Sequence, residues 1–99
     1  MGQDVVFRRT VTVDLENGLH LVPCSRIAQI AASFDCDVHV HKDQLKVDGK
    51  TVLDLMTLNA NRGTMLVLEA RGDGADEVIA RLVELFDSNF DTDDDEPSS

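Results

Sequence analysis

The stretch Asn17-Gly18-Leu19-His20-Leu21-Val22-Pro23-Cys24-Ser25 places a histidine where a strand pattern gives way to a helix pattern. Upstream, the residues from Val5 to Val13 alternate in polarity as they do in a strand. Pro23 suits the first turn of a helix, because the N–H that proline lacks has no intrahelical acceptor there. The helix is therefore predicted to begin directly after His20. Its apolar stripe follows helical spacing at Ile27, Ile30, Ala31 and Phe34.

The position of His20 matters for chemistry. The free N–H groups and the positive dipole end of a helix N-terminus stabilise a nearby exposed anion by about 0.3–1 kcal/mol. A neutral imidazole at this place can accept a phosphoryl group that backbone donors then hold. Two other interpretations stay open. His20 caps or packs at the helix start without further function, or Cys24, its pKa lowered by the dipole, forms a nucleophilic pair with His20.

The length of 99 residues and a hydrophobic content of 42% indicate one globular domain. A net charge of −10 argues against nucleic acid as a partner, because that binding depends on Lys and Arg neutralising phosphates. Apolar runs long enough to span a membrane are absent, and the first nine residues lack the apolar centre of a signal peptide, so we expect a cytoplasmic protein. The two cysteines, Cys24 and Cys36, are expected to be free thiols.

Much of the negative charge lies at the end of the chain, in Asp91-Thr92-Asp93-Asp94-Asp95-Glu96. Like charges at this density repel one another and cannot bury a core. We therefore expect a folded domain over residues 1–90 and a disordered acidic tail over residues 91–99.

The rest of the chain alternates between strand and helix patterns. The order β-α-β-β-α-β-α predicts an α+β fold, with a four-stranded sheet covered on one face by three helices. The predicted elements after strand one are helix one from about Leu21 to Ser33 or Phe34, strands Asp37 to Lys42 and Leu45 to Val47, helix two with Thr51 as N-cap, strand Thr64 to Ala70, and helix three from Ala75 to Phe86.

The sheet face without helices is expected to be wet. On strand one, Val11 and Val13 should form the buried side, and on strand two His39 and His41 should point to the wet side. Two histidines on one face can ligate a metal when a third ligand converges on them. The sequence offers no such ligand, so we interpret both as solvated side chains and predict no metal and no cofactor.

Helix two carries Val52, Leu53 and Met56 within a single short element. Three such side chains crowd a small helix, so at least one is expected to stay exposed, where Leu and Met patches dock partners. Each of the three also fits as core or as the edge of the core.

Asn17-Gly18-Leu19-His20 before helix one and Gly49-Lys50-Thr51 before helix two resemble the two phosphorylation motifs of HPr, the histidine-containing phosphocarrier of the bacterial phosphotransferase system. The resemblance covers about Val5 to Asp87, and the two motifs keep their mutual spacing. His20 falls on the phosphoryl-accepting histidine of the family and Thr51 on its regulatory serine.

This resemblance implies an open-faced β-sandwich that carries a phosphoryl group and is not itself an enzyme. Its implied partners are Enzyme I, which phosphorylates the histidine Nδ1, sugar-specific acceptor domains, and an HPr-type kinase/phosphatase that acts on the residue equivalent to Thr51. We expect a monomer in which the backbone N–H groups around Cys24 and Ser25 hold the phosphoryl group. The docking surface is expected to include Val52, Leu53 and Met56.

The chain departs from the family pattern after the histidine. The family reads His-x-Arg-Pro, and Val22 stands at the position of the arginine. Loss of a guanidinium removes charge-assisted hydrogen bonds worth about 1.5–3 kcal/mol each. Arg26, one helical turn later, is a candidate phosphate contact, although a surface arginine explains it as well. Val22 also favours an alternative function, a regulatory interaction protein that signals through Thr51 phosphorylation or docking, outside sugar transport.

Overall fold

The computed structural model describes residues 5–90, and the predicted acidic tail lies outside the described residues. The elements follow the predicted order, which confirms the α+β fold class. Helix one ends at Ala32, slightly earlier than predicted, because the N–H of Ser33 donates to the carbonyl of Ile30, three residues back, and no longer follows the four-residue spacing of an α-helix. The elements are β1 (Val6–Thr12), α1 (Leu21–Ala32), β2 (Asp37–Lys42), β3 (Leu45–Asp48), α2 (Val52–Met56), β4 (Met65–Arg71) and α3 (Ala75–Asp87).

The four strands form one antiparallel sheet in the order β1-β4-β2-β3. Helix α3 packs on β1 and β4, and α1 packs on α2 and α3. One sheet face is thereby covered by helices, and we call the other the open sheet face. Within the described part of the chain, no helix is long and apolar enough to cross a membrane.

The core lies between the sheet and the helices, as the alternation in the strands predicts. Val11 and Val13 are buried, which confirms the predicted inner side of β1. The stripe of α3 is buried at Ile79, Leu82 and Phe86, whereas Val83 lies at the edge of the core. The stripe of α1 behaves in the same way, with Ile27 and Ala31 buried and Ile30 and Phe34 half-buried.

Gly18 fixes the path of the chain into α1. Its φ of +69° lies in the left-handed region that glycine adopts without strain, as the Asn17-Gly18 pair predicts. A Cβ here would stand 2.5 Å from the carbonyl oxygen of Ala60. The next residue, Leu19, donates its N–H to that same oxygen at 2.9 Å. The loop between α2 and β4, which contains Ala60, therefore holds the segment that presents His20.

Candidate functional site

His20 is the N-cap residue of α1, and its backbone is extended (φ −93°, ψ −165°). The residue is exposed, and its side chain makes no capping hydrogen bond to the helix. Its backbone is held at both ends, because its N–H donates to the carbonyl of Gly18 at 3.0 Å and its carbonyl accepts from the N–H of Cys24 at 3.1 Å. A fixed backbone with a free ring makes the imidazole available to a partner protein.

The first turn of α1 decides which amides can bind an anion. The prediction named the N–H groups around Cys24 and Ser25, but that of Cys24 is already used by the carbonyl of His20. Pro23 has no N–H to offer. The N–H groups of Leu21 and Val22 come before the first intrahelical hydrogen bond and are the free donors of a helix start. These two amides are the nearest along the chain to the His20 ring.

Exposed apolar side chains follow His20 in α1 and also lie on α2, which packs against α1. Leu21 and Val22 are 57% and 55% exposed, and on the neighbouring α2 Leu53 is 75% exposed. Met56 is exposed as well, whereas Val52 is half-buried and packs against the core. We call His20, Leu21, Val22, Leu53 and Met56 the helix-start surface. An apolar surface around one reactive polar side chain is suited to docking against another protein.

The nucleophilic pair of Cys24 and His20 is not supported by the structure. Cys24 is fully buried, and its Sγ lies 3.6 Å from the carbonyl oxygen of Leu19, on the core side of the helix. Burial raises the pKa of the Cys24 thiol, opposite to the expectation that the helix dipole would lower it. Both cysteines are buried free thiols, which confirms that part of the prediction.

Two further predicted residues lie on the same helix. Ser25 and Arg26 are both half-buried in α1. Arg26 already takes part in an interaction. Contact of either residue with a phosphoryl group stays a prediction.

Thr51 is the N-cap of α2, as predicted, but its hydroxyl does not cap the helix. It donates instead to Oδ2 of Asp48 at 2.9 Å, while Oδ1 of Asp48 accepts the backbone N–H of Lys50 at 3.0 Å. The Lys50 N–H is the main reason that the pKa of Asp48 is lowered, and the Thr51 hydroxyl lowers it further against the opposing effect of burial. The half-buried Thr51 side chain is therefore held by a carboxylate at the turn before α2.

The open sheet face contains a cluster that the sequence interpretation missed. Glu69 on β4 is only 4% exposed and lies opposite Arg8 on β1 and His39 on β2. Its Oε1 is 2.6 Å from Nε2 of His41 and 3.7 Å from Nε of Arg8. The prediction of a solvated histidine is thus wrong for His41, because its imidazole is half-buried against this carboxylate.

The alternation of side chains along β4 could have predicted this cluster. Glu69 has the same parity as Met65 and Val67, and the antiparallel register places it between the basic residues of two neighbouring strands.

The contact of Asp48 with Thr51 could also have been predicted, since Asp48 precedes Thr51 by three residues. Among residues 5–90, no three His, Cys, Asp or Glu side chains lie close enough together to hold a metal ion.

Comparison with known proteins assigns this chain to one class of protein, the phosphocarriers. The family model "PTS HPr component phosphorylation site" matches residues 7–88. Phosphocarrier protein HPr of Vibrio cholerae is 32% identical over 82 residues, which is 83% of this chain and 96% of that protein. HPr-like protein Crh of Bacillus subtilis is 35% identical over 75 residues, covering 76% of this chain and 88% of its own length.

A solved structure gives the same result. The crystal structure of HPr-C-His from Thermoanaerobacter tengcongensis matches with a TM-score of 0.83 and 32% identity, over 87% of this chain and 97% of that one. The chain belongs to the HPr family of the phosphotransferase system. Proteins of this family are phosphoryl carriers and not enzymes.

Proposed function

We propose that this protein accepts a phosphoryl group on His20 from an Enzyme I-like donor and passes it to an acceptor domain of a phosphotransferase system. In the first step, the lone pair of His20 Nδ1 attacks the phosphorus, an N–P bond forms, and the bond from phosphorus to the donor breaks with its electrons left on the donor. In the second step the acceptor's nucleophile attacks the same phosphorus and His20 Nδ1 leaves as neutral imidazole. The protein returns unchanged, as a carrier must.

The observation that carries this proposal is the exposed ring of His20 at the start of α1. A phosphohistidine there adds negative charge beside the free N–H groups of Leu21 and Val22 and at the positive end of the helix dipole. The 12-residue length of α1 is enough for such a dipole to form. Ser25 and Arg26 extend the same proposed site along the helix, with Arg26 as a phosphate contact.

Docking is the second part of the proposal. Donor and acceptor must both reach His20, so they meet the apolar side chains of Leu21, Val22, Leu53 and Met56, with Val52 behind them. Apolar contacts are non-directional, which suits a surface that binds several partners in succession. The sugar-specific domains of the phosphotransferase system are the proposed acceptors.

We also propose Thr51 as a regulatory phosphorylation site for an HPr-type kinase/phosphatase. Phosphorylation adds a charge of about −1.5 to −2 beside Asp48 and at the edge of the helix-start surface. The hydrogen bond from Thr51 to Asp48 would be lost, and an acidic partner surface would be repelled. The modification thereby lowers the affinity for phosphotransfer partners.

The protein incubated with phosphoenolpyruvate and a cognate Enzyme I, followed by phosphorus NMR, tests the carrier function. We expect one phosphohistidine signal, assigned to Nδ1 and absent in His20→Ala. Reactions with His20→Ala and reactions without the donor are the controls that identify signals from Enzyme I itself. Absence of a signal with a donor that phosphorylates another HPr protein would contradict the proposal.

A regulatory role outside sugar transport is the second candidate. Val22 favours it, because the chain lacks the guanidinium that the family places beside the phosphoryl group. The similarity to an HPr-like protein, Crh, is consistent with it. Phosphorylation of Thr51 by a cognate kinase, combined with an inert His20, would select this candidate over the carrier.

The remaining proposals concern the state of the protein. We propose that it acts in the cytoplasm as a monomer, with residues 1–90 as the phosphocarrier domain and residues 91–99 as a disordered tail. Sedimentation of the full chain at several concentrations tests the monomer, and nuclear relaxation of the backbone amides tests the tail.

A further inference from the structure

Strand β1 leaves one row of backbone groups unpaired with the sheet. It lies at the edge of the sheet, next to β4 only. At one end Val5 accepts from the N–H of Gly72, and at the other Val13 donates to Thr64 and accepts from Gly63. The register between β1 and β4 is continuous, so the odd-numbered residues of β1 point their N–H and C=O groups at β4. The groups of Val6, Arg8, Thr10 and Thr12 therefore point outward.

A groove runs beside this free edge, between β1 and α3. Its cavity has a volume of about 410 Å³. Phe7, Ile79 and Val83 give it an apolar lining, in which Ile79 is buried and the other two are half-buried. We call it the edge groove. It shares no residue with the helix-start surface, so a ligand confined to this groove does not contact the residues proposed for phosphotransfer.

The rim of the edge groove is acidic. Asp76, Glu84 and Asp87 line it from α3, and all three are exposed. The acidic segment of the chain itself, Asp91 to Glu96, has the same sign of charge and is repelled by this rim. Charge complementarity favours a cationic segment of another protein.

Arg9 occupies a special place in this groove. It lines the cavity, and its Nη1 donates to the outward-pointing carbonyl of Arg8 at 3.0 Å. A charged side chain that covers its own strand's edge is a common protection against unspecific strand pairing. An incoming strand has to displace this guanidinium from the Arg8 carbonyl. Binding is therefore restricted to strands whose own contacts with the edge and the groove outweigh the loss of that hydrogen bond.

We propose that the edge of β1 binds an extended, basic segment of a partner protein as an additional strand. The backbone of that segment pairs with the outward groups of Val6, Thr10 and Thr12, and alternate side chains enter the edge groove. Apolar side chains contact Phe7, Ile79 and Val83, and lysine or arginine side chains at the ends pair with the acidic rim. Strand addition of this kind gives affinity through the main chain and specificity through the pockets.

A synthetic heptapeptide of sequence Lys-Thr-Val-Thr-Val-Thr-Lys, blocked at both ends, is a suitable probe. When it pairs with β1, its lysines and valines face the groove and its threonines face the open sheet face. Nitrogen–proton NMR of the full chain should show shift changes at the amides of Val6, Arg8, Thr10 and Thr12 and along α3. The same peptide with glutamate in place of lysine should bind about tenfold more weakly, because several weak ion pairs become repulsive.

Thr10→Pro is the decisive variant. Its N–H points outward, so proline removes a donor of the free edge without removing a hydrogen bond to β4. We expect the folded spectrum to persist and the peptide shifts to disappear. Thr10→Val keeps the N–H and is the matched control. On α3, Glu84→Lys should weaken binding, whereas Glu77→Lys, which is exposed but not part of the groove, should change it little.

Three results would overturn the proposal. These are equal binding of the lysine and glutamate peptides, undiminished binding to folded Thr10→Pro, and shifts confined to other surfaces. Dimer formation of the chain along β1 would assign the edge to a second copy and refute the heterologous partner. None of these results bears on phosphoryl transfer, which is measured separately at His20.

Discussion

The helix-start surface and the open sheet face both carry histidine, but they hold it in opposite ways. The His20 ring is exposed and makes no capping hydrogen bond, and its neighbours Leu21 and Val22 are apolar. The His41 ring is half-buried, with Nε2 at 2.6 Å from a carboxylate oxygen of Glu69. One imidazole is free for a partner, and the other is already used within the sheet.

The difference shows what makes a histidine available for transfer. A nucleophilic ring nitrogen needs a lone pair and access for the donor, and the half-buried His41 ring, with Nε2 engaged by Glu69, offers less access than the exposed His20 ring. A buried carboxylate, in turn, needs a partner such as His41, because leaving it without one costs free energy. Surface position alone therefore does not distinguish a functional histidine from a structural one.

Replacement of each histidine gives the largest expected contrast. His20→Ala should abolish phosphoryl uptake from Enzyme I, because no other side chain supplies the nucleophile. His41→Ala should leave the uptake rate within about a factor of two, since the two sites are independent. Phosphorus NMR with rapid quenching measures both rates. Loss of uptake in a folded His41→Ala protein would contradict the division of roles.

Val22→Arg is expected to have the next largest effect. It restores the guanidinium of the family pattern beside the His20 ring, and charge-assisted hydrogen bonds of about 1.5–3 kcal/mol correspond to a rate increase of about tenfold or more. The comparison is made by single-turnover transfer from phosphorylated Enzyme I. Val22→Gln has a polar side chain of similar reach without the charge and is the matched control. Equal rates for the two variants would show that the charge is not limiting.

Glu69→Gln tests the contact between Glu69 and His41 on the open sheet face, and the quantity measured is the free energy of unfolding. Burial raises the pKa of Glu69, but the hydrogen bond from His41 and the charge of Arg8 outweigh it, so the pKa is lowered in the folded protein. A carboxyl group whose pKa is lower in the folded protein than its value of about 4.3 in the unfolded chain stabilises the fold at pH values above about 4.3. This stabilisation is lost as the pH falls through the pKa of the folded protein. Urea unfolding at pH 7 should show a loss of about 1 kcal/mol.

The pH series provides the control for that experiment. Wild type and Glu69→Gln should begin to converge as the pH falls below about 4.3 and should meet once it is below the lowered pKa of Glu69 in the folded protein, because the carboxylate is then protonated in both states. Glu16→Gln, at an exposed position in the loop before α1, should follow wild type at all pH values. A constant difference between wild type and Glu69→Gln across the series would mean that the charge of Glu69 is not the cause.

Much of this arrangement follows from the sequence, because local patterns determine it. Alternation in Val5 to Val13 and helical spacing in Ala75 to Phe86 depend only on which side of an element is buried. The start of α1 was also predictable, since Pro23 has a fixed φ that suits a first helical turn and the pair Asn17-Gly18 is typical of a turn with a positive φ. These features place His20 without any knowledge of the tertiary structure.

The parts that the sequence did not yield depend on contacts across the chain. Glu69 and His41 are 28 residues apart, and only the register between β2 and β4 brings them together. The burial of the Cys24 thiol, by contrast, follows from helical spacing, because Cys24 precedes Ile27 by three residues and Ala31 by seven and so lies on the apolar stripe of α1. The nucleophilic pair of Cys24 and His20 was an alternative left open by the sequence, and the burial of the thiol does not support it.

The smallest effect is expected at Thr51, where a hydroxyl is held by Asp48. Thr51→Asp places a second carboxylate next to the first, and its charge should cost about 0.5 kcal/mol more than the neutral Thr51→Asn. In an Asp48→Asn background that difference should vanish, because the like charge is gone. Urea unfolding of the four variants forms a double-mutant cycle, and its coupling energy isolates the interaction between the two positions. A coupling near zero would mean that phosphorylation of Thr51 acts on partners alone and not on the turn that Asp48 holds.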